Sequence, residues 1–207
     1  MRNFNSMLRE RMLSEVPAAL VARTRRAPVE LVEAAAAGLE PAGALEVGWG
    51  YAPGPVGFCS IGWCSRGICH LAFEGKQAGL PGSLQAAWPY VVLQRDDTAA
   101  CRLAEIVFAG GRSAGKPLKV VVQGTPFQLD VWRSLLQIPR GHVATYGVVA
   151  RAIGAPHAAR AVGAACGANR VAYLIPCHRV VHANGSTRGY RWGAARKNAL
   201  LEREFAD

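Results

Sequence analysis

The sequence predicts an α+β fold: an N-terminal α/β domain with a small antiparallel sheet, then a C-terminal, mainly helical domain of winged helix-turn-helix-like type. Three observations predict it. Between Leu45 and Phe73 short apolar stretches alternate with Pro/Gly turns, the texture of hairpin-linked strands. From Thr125 onward apolar residues recur at helical spacing, as at Phe127, Val131, Leu135 and Ile138. The 207-residue chain carries 24 Lys+Arg against 14 Asp+Glu, net +10, and the excess is uneven. Residues 1–123 hold 13 basic and 10 acidic side chains, and residues 124–207 hold 11 and 4. A short half with that density of arginine is the footprint of a polyanion partner. Hydrophobic residues make up 51% and charged residues 18%, which excludes global disorder. No apolar run approaches the ~20 residues of a membrane helix, and no secretory leader pattern follows the basic N-terminus, so the expected location is the cytoplasm.

In order, residues 1–40 read as a helical extension, with helices over Asn5–Leu20 and Pro28–Leu39, the second opening on a proline suited to a first turn. Pro17 weakens the first. Residues 41–117 form the N-terminal α/β domain. Its expected strands are Glu46–Tyr51, Gly57–Trp63 and Gly67–Phe73, separated by Pro53-Gly54-Pro55 and Ser65-Arg66-Gly67. A helical patch over Ser83–Trp88, a strand over Tyr90–Leu93 and a helix over Asp97–Ala109 follow, the helix capped by Asp97 or Thr98. Residues 118–207 form the C-terminal domain: a strand over Lys119–Gln123, a helix over Thr125–Leu136, and short helices over Tyr146–Ile153 and His157–Cys166 joined at Gly154-Ala155-Pro156. Two short helices around a glycine turn match a helix-turn-helix. The second carries Arg160 among small residues such as Ala161, which permit close approach to a surface.

Six cysteines in a chain of this size without a secretory leader are expected to be reduced. Cys59, Cys64 and Cys69 recur every five residues and His70 follows, but this spacing is not that of a zinc knuckle. The expectation is small apolar core thiols and no metal site. The chemistry-bearing stretch is Leu174-Ile-Pro-Cys-His-Arg-Val-Val181. Pro176 restricts Ile175 to an extended shape and so helps to aim Cys177. A thiol reacts as its thiolate, and His178 beside it can take the proton.

Pro176-Cys-His-Arg-Val180 resembles the active-site motif of the O6-alkylguanine-DNA alkyltransferases, the methylated-DNA–protein-cysteine methyltransferases. So do Gly124-Thr-Pro-Phe-Gln128, Val131-Trp132, Ile138-Pro139, Thr145-Tyr146, Ala150, Ile153-Gly154, Arg160-Ala-Val-Gly163, Asn169 and Gly189-Tyr-Arg-Trp-Gly193. The likeness is strong over residues 118–205, weak over 40–117 and absent over 1–40. It implies that Cys177 accepts an alkyl group, chiefly methyl, from guanine O6 in double-stranded DNA, with thymine O4 as a second target, in a single irreversible turnover. His178, acting through a water, and Glu204 would form a proton relay; the bland alternative makes Glu204 a solvated residue on a C-terminal helix. Asn169 would brace the active-site turn and Tyr146 would protonate the leaving base. Arg160 would fill the gap left by the flipped nucleotide, with Thr145, Ala161 and Arg151 also facing DNA. Tyr190, Trp192 and Pro176 would line the base pocket. The resemblance implies minor-groove binding by a monomer without a cofactor; the zinc pattern of the family's metal-binding members, two Cys and two His, does not map onto Cys59, Cys64, Cys69 and His70, so no metal is expected. An inert lesion-binding relative of the family is the alternative; such proteins lack the acceptor cysteine, which is present here.

Overall fold

The computed structural model describes residues 3–16, 29–34, 46–75, 80–89, 91–110, 112–113 and 116–206. The chain divides into two compact units. One comprises Ala27–Gln123 with Arg170–Leu174; the other comprises Met1–Arg26, Gly124–Asn169 and Ile175–Asp207.

The first unit is built on a sheet. Strands β1 (Val29–Glu33), β2 (Glu46–Gly54), β3 (Gly57–Cys64), β4 (Gly67–Phe73), β5 (Val92–Arg95), β6 (Arg112–Ser113) and β7 (Lys116–Val122) lie in the order β1-β7-β4-β3-β2-β5, with β6 against β7. The expected antiparallel part is the meander β2-β3-β4. Parallel pairings then extend it, β4 to β7 to β1 on one side and β2 to β5 on the other. The β3–β4 turn closes on Gly67, at φ +147°, where a Cβ would lie 2.4 Å from the Lys119 carbonyl oxygen. Only glycine lets β7 pass that closely.

The expected helix over Pro28–Leu39 is corrected where it is described. Val29-Glu-Leu-Val-Glu33 is strand β1, with Val29 opposite Leu118 and Glu33 opposite Val122. Two β-branched valines and a bonding row on β7 outweigh the alanines that follow. Pro28 and residues 35–39 lie outside the described residues. The strand expected at Tyr90–Leu93 is instead Val92–Arg95, and Tyr90 lies outside the described residues. Helices α2 (Gly82–Ala87) and α3 (Asp97–Phe108) match their expected positions. Their cap differs: Asp96, not Asp97 or Thr98, accepts the Ala99 N–H at 2.8 Å and so caps α3. Asp97 instead accepts from the Tyr51 N–H and pairs with Arg95. Cys69 packs among Val47, Trp49, Tyr51, Leu84 and Trp88. The Cys59 thiol donates to the Ala52 carbonyl, and burial pushes its pKa up to about 12. Both thiols behave as core residues.

The second unit is mainly helical. Helix α1 (Phe4–Glu10) stops short of the expected Leu20, because the chain beyond Arg11 pairs with Val143; residues 17–20 lie outside the described residues. Helix α4 (Pro126–Leu135) opens on a reciprocal cap, in which Thr125 Oγ1 accepts the Gln128 N–H and Gln128 Oε1 accepts the Thr125 N–H. Such a cap contributes about 1 kcal/mol. Helices α5 (Tyr146–Ala152) and α6 (Ala159–Ala168) form the expected pair around Gly154, which sits at φ +74°. Strands β8 (Ala144–Thr145) and β9 (Val180–Val181) pair in parallel, tying the start of α5 to the residues just after His178. Helix α7 (Ala194–Ala206) follows. Among the described residues no helix is long and apolar enough to cross a membrane.

Candidate active site

Cys177 opens a single 3-10 turn, Cys177–Arg179. The chain reaches it through Pro176, at φ −82° and ψ 56°, and the Cys177 N–H turns back to the Ile175 carbonyl at 2.8 Å. This tight reversal puts the thiol at a bend rather than in a strand. Asn169, buried at the end of α6, uses one amide nitrogen twice: it donates to the Ile175 carbonyl at 3.1 Å and to Cys177 Sγ at 3.2 Å. The first bond fixes the turn and the second meets the sulfur.

His178 is fully buried and its Nε2 lies 2.9 Å from Glu204 Oε1 on α7. Arg179 grips the same carboxylate, donating from Nε to Oε2 at 2.9 Å and from Nη2 to Oε1 at 2.9 Å, while Nη1 donates to the Ile138 carbonyl at 2.8 Å. The Gly141 N–H adds a bond to Oε2 at 3.3 Å. Burial alone would raise the Glu204 pKa, but the bonds and charges of His178 and Arg179 outweigh it and hold the carboxyl well below its usual range. An ionised carboxylate only accepts, so His178 Nε2 carries the hydrogen and Nδ1 carries the lone pair. Burial lowers the His178 pKa despite Glu204, so the imidazole rests neutral and able to take a proton.

The thiol itself is not activated at rest. Burial pushes the Cys177 pKa up; the Asn169 bond and the positive charges of Lys197 and Arg191 act the other way. Lys197, 1% exposed on α7, donates to the Val180 carbonyl and stands 5.9 Å from the centre of the Tyr190 ring. Burial lowers its pKa to about 8, while the neighbouring Cys177 and Cys166 thiols favour its charged form. Tyr190 and Trp192 are both buried and meet edge to face at 5.2 Å. The Tyr190 hydroxyl has no hydrogen-bond partner among the described residues. Tyr146 starts α5 and meets the His182 ring edge-on, with ring centres 5.1 Å apart. Burial, then the Cys166 and Cys177 thiols, raise its pKa to about 12, so it is a phenol with its proton in place.

Of the residues singled out from sequence, Asn169 bonds the Cys177 thiol and His178 bonds Glu204, and Glu204 is not a solvated residue. Arg160 and Ala161 stand exposed on the first turn of α6, and Arg151 is exposed at the end of α5, where it also donates to the Ser14 carbonyl. Thr145 Oγ1 caps α5 by accepting the Val148 N–H at 3.2 Å. Sequence reasoning missed Arg179 and Lys197. The signal was present for the second: Lys197, Leu200, Leu201 and Glu204 fall at i, i+3, i+4 and i+7, one buried stripe with a charge at each end.

A thiol held on a turn near a neutral imidazole and its ionised carboxylate, in one unit with a helix-turn-helix pair, is an arrangement suited to cysteine chemistry. Residues 126–206 match the family model described as 6-O-methylguanine DNA methyltransferase, DNA binding domain. The chain is 34% identical to the O6-methylguanine methyltransferase of Mycobacterium tuberculosis in its crystal structure, with a TM-score of 0.62 over 77% of this chain and 93% of that one. A second structure of that protein, described as a complex with DNA, aligns with a TM-score of 0.61. The bifunctional transcriptional activator/DNA repair enzyme Ada of Escherichia coli is 39% identical over 162 residues, which are 77% of this chain and 46% of that protein. The methylated-DNA–protein-cysteine methyltransferase of Salmonella typhimurium is 48% identical over 97 residues, 47% of this chain and 57% of that one. The chain spans about half the length of the curated relatives it matches. It belongs to the 6-O-methylguanine DNA methyltransferase family.

Proposed function

We propose that the protein repairs double-stranded DNA by moving an alkyl group, chiefly methyl, from guanine O6, and secondarily from thymine O4, to Cys177, once per molecule. The observation that carries this reading is the buried Asn169–Cys177 contact beside the His178–Glu204–Arg179 array. A base inside a duplex cannot reach a buried thiol, so the nucleotide must leave the stack. Exposed Arg160, early on α6, is suited to hold the gap, with Thr145, Ala161 and Arg151 near the same helix pair facing the minor groove. Tyr190, Trp192 and Pro176 flank the pocket that takes the base.

The Cys177 proton passes through a water to His178, whose imidazolium Glu204 stabilises. The thiolate attacks the alkyl carbon; the new C–S bond forms as the C–O6 bond breaks, and the electron pair leaves with the base. The Tyr146 hydroxyl supplies the proton that neutralises the base and recovers one from His178. The thioether has no leaving group and no path back through thiol exchange, so the protein is spent. Asn169 holds the thiol and Lys197 offsets the thiolate charge. The presence of Cys177 in this array disfavours an inert lesion-binding role.

Label transfer tests the reading. A duplex with one radiolabelled O6-methylguanine, mixed with limiting protein, is expected to give one label per protein molecule and then stop. Sustained turnover, or tight binding with no label transferred, contradicts it.

A further inference from the structure

The N-terminal segment grips the part of the second unit that carries the Glu204 carboxylate. Arg11 is its centre. Its Nη1 donates to the Gly141 carbonyl at 3.1 Å and its Nη2 to the Phe205 carbonyl at 3.1 Å, with the guanidinium 5.2 Å from the Phe205 ring centre. Phe205 lies in the last turn of α7, where carbonyls lack helical donors and a cation is favoured. The grip is locked on both sides of Arg11. Leu8, 1% exposed, packs with Val143, Val181, Leu201 and Phe205. The Val143 N–H donates to the Arg11 carbonyl at 3.0 Å and the Leu13 N–H to the Val143 carbonyl at 2.8 Å.

Both residues held by Arg11 adjoin Glu204. Phe205 follows it in the chain. Gly141 donates its N–H to Glu204 Oε2, so the residue whose carbonyl Arg11 binds is the one whose N–H meets the carboxylate. Gly141 sits at φ +76°, and a Cβ there would lie 3.1 Å from both Arg11 Nη1 and the Glu204 carbonyl oxygen. The guanidinium is thus lodged against a turn with room for glycine.

We propose that Arg11 is a positioning residue of the relay: it fixes Gly141 and the end of α7, and through them holds the Glu204 carboxylate against His178. This rests on the reading in which His178 and Glu204 activate Cys177. A carboxylate held less firmly supports the imidazolium less well, so less thiolate forms at a given pH. Arg179 still holds Glu204 without Arg11, so the loss is partial, roughly tenfold, within the range that small misplacements of a catalytic group produce.

The test compares the natural protein with Arg11→Ala, Arg11→Lys and Met7→Ala. The Met7 side chain packs against the same apolar cluster, and its carbonyl, which accepts the Arg11 backbone N–H at 3.2 Å, is kept in the alanine variant, so Met7→Ala reports the structural role alone. Two readouts are taken: the single-turnover rate on O6-methylguanine duplex, and the pH midpoint of Cys177 alkylation by iodoacetamide, mapped by peptide mass without DNA. Arg11→Ala is expected to slow transfer roughly tenfold and to move the midpoint to higher pH. Arg11→Lys, or millimolar guanidinium added to Arg11→Ala, is expected to recover part of both. Met7→Ala is expected to lower Tm and leave the midpoint in place. If Arg11→Ala does not fold, Arg11→Lys carries the same readouts with a smaller shift. An unmoved midpoint in every folded Arg11 variant overturns the proposal. A protein that transfers no methyl but shows the midpoint shift contradicts the repair reading and leaves the positioning role standing.

Discussion

Each unit of this molecule buries a histidine beside a carboxylate and a potential nucleophile, yet the two clusters differ in where the proton sits. The Ser60 hydroxyl on β3 donates to Oε1 of Glu74, just past the end of β4, at 2.8 Å and lies 3.0 Å from Nε2 of His70 on β4. A hydroxyl has one hydrogen, so His70 must donate to Ser60. The serine proton faces the carboxylate, and the imidazole cannot take it along that bond. Both residues are locked in the register of a paired sheet. In the other unit the carboxylate binds the far nitrogen of His178, which leaves the second nitrogen as the base. The nucleophile stands on a turn, and two cations, Arg179 and Lys197, are committed to the array. Composition alone does not separate a site from a satisfied polar core; the direction of the hydrogen bonds does.

The comparison is broken most completely at the thiol. Cys177→Ser and Cys177→Ala are expected to abolish transfer, while Ala at Cys59, Cys64, Cys69, Cys101 or Cys166 leaves the chemistry intact in a label-transfer assay. The next largest effect falls on the carboxylates. Glu204→Gln is expected to slow single-turnover transfer by about 10²–10⁴ with DNA affinity retained, whereas Glu74→Gln leaves the rate unchanged. Losing one partner of the buried ion pair also costs about 3 kcal/mol of stability. Because the folded-state pKa of Glu204 is depressed, that contribution is complete above the unfolded value near ~4.3 and fades as pH falls through the lower folded value. Denaturant titrations of the two proteins should therefore converge only in strong acid.

Smaller effects sharpen the same contrast. Trp192 closes edge to face on Tyr190, so O6-benzylguanine is expected to react slowly and Trp192→Gly to gain roughly ten- to a hundredfold. Rapid reaction of the natural protein, or no gain in a folded glycine variant, places Trp192 behind the pocket instead. Arg160→Ala is expected to impair repair in duplex DNA several-fold more than reaction with free O6-methylguanine, since only the duplex holds a gap to fill. Equal losses on both substrates would make Arg160 structural. Affinity for duplex should fall as salt rises.

The central hairpins and the helices from Ser83 onward were legible because their signals are local: glycine turns at Gly67 and Gly154, and helical spacing at Phe127, Val131, Leu135 and Ile138. Val29–Glu33 was not, since its strand state depends on pairing with Lys116–Val122, far along the chain. Cys177, His178, Asn169 and Glu204 were legible as a motif, but motif letters carry no distances. The commitment of Arg179 to Glu204 and the burial of Lys197 follow from how α7 packs on the turn. Arg11 was hidden because its partners are two backbone carbonyls, which leave no side-chain signature.

The central claim is that Cys177, and no other group, becomes the acceptor. Intact-mass and peptide mapping after reaction with equimolar O6-methylguanine duplex measure this directly. The account predicts one added methyl, on Cys177, with unmodified guanine left in the DNA. An unchanged protein mass, or a methyl on Ser60 or any other cysteine, contradicts it.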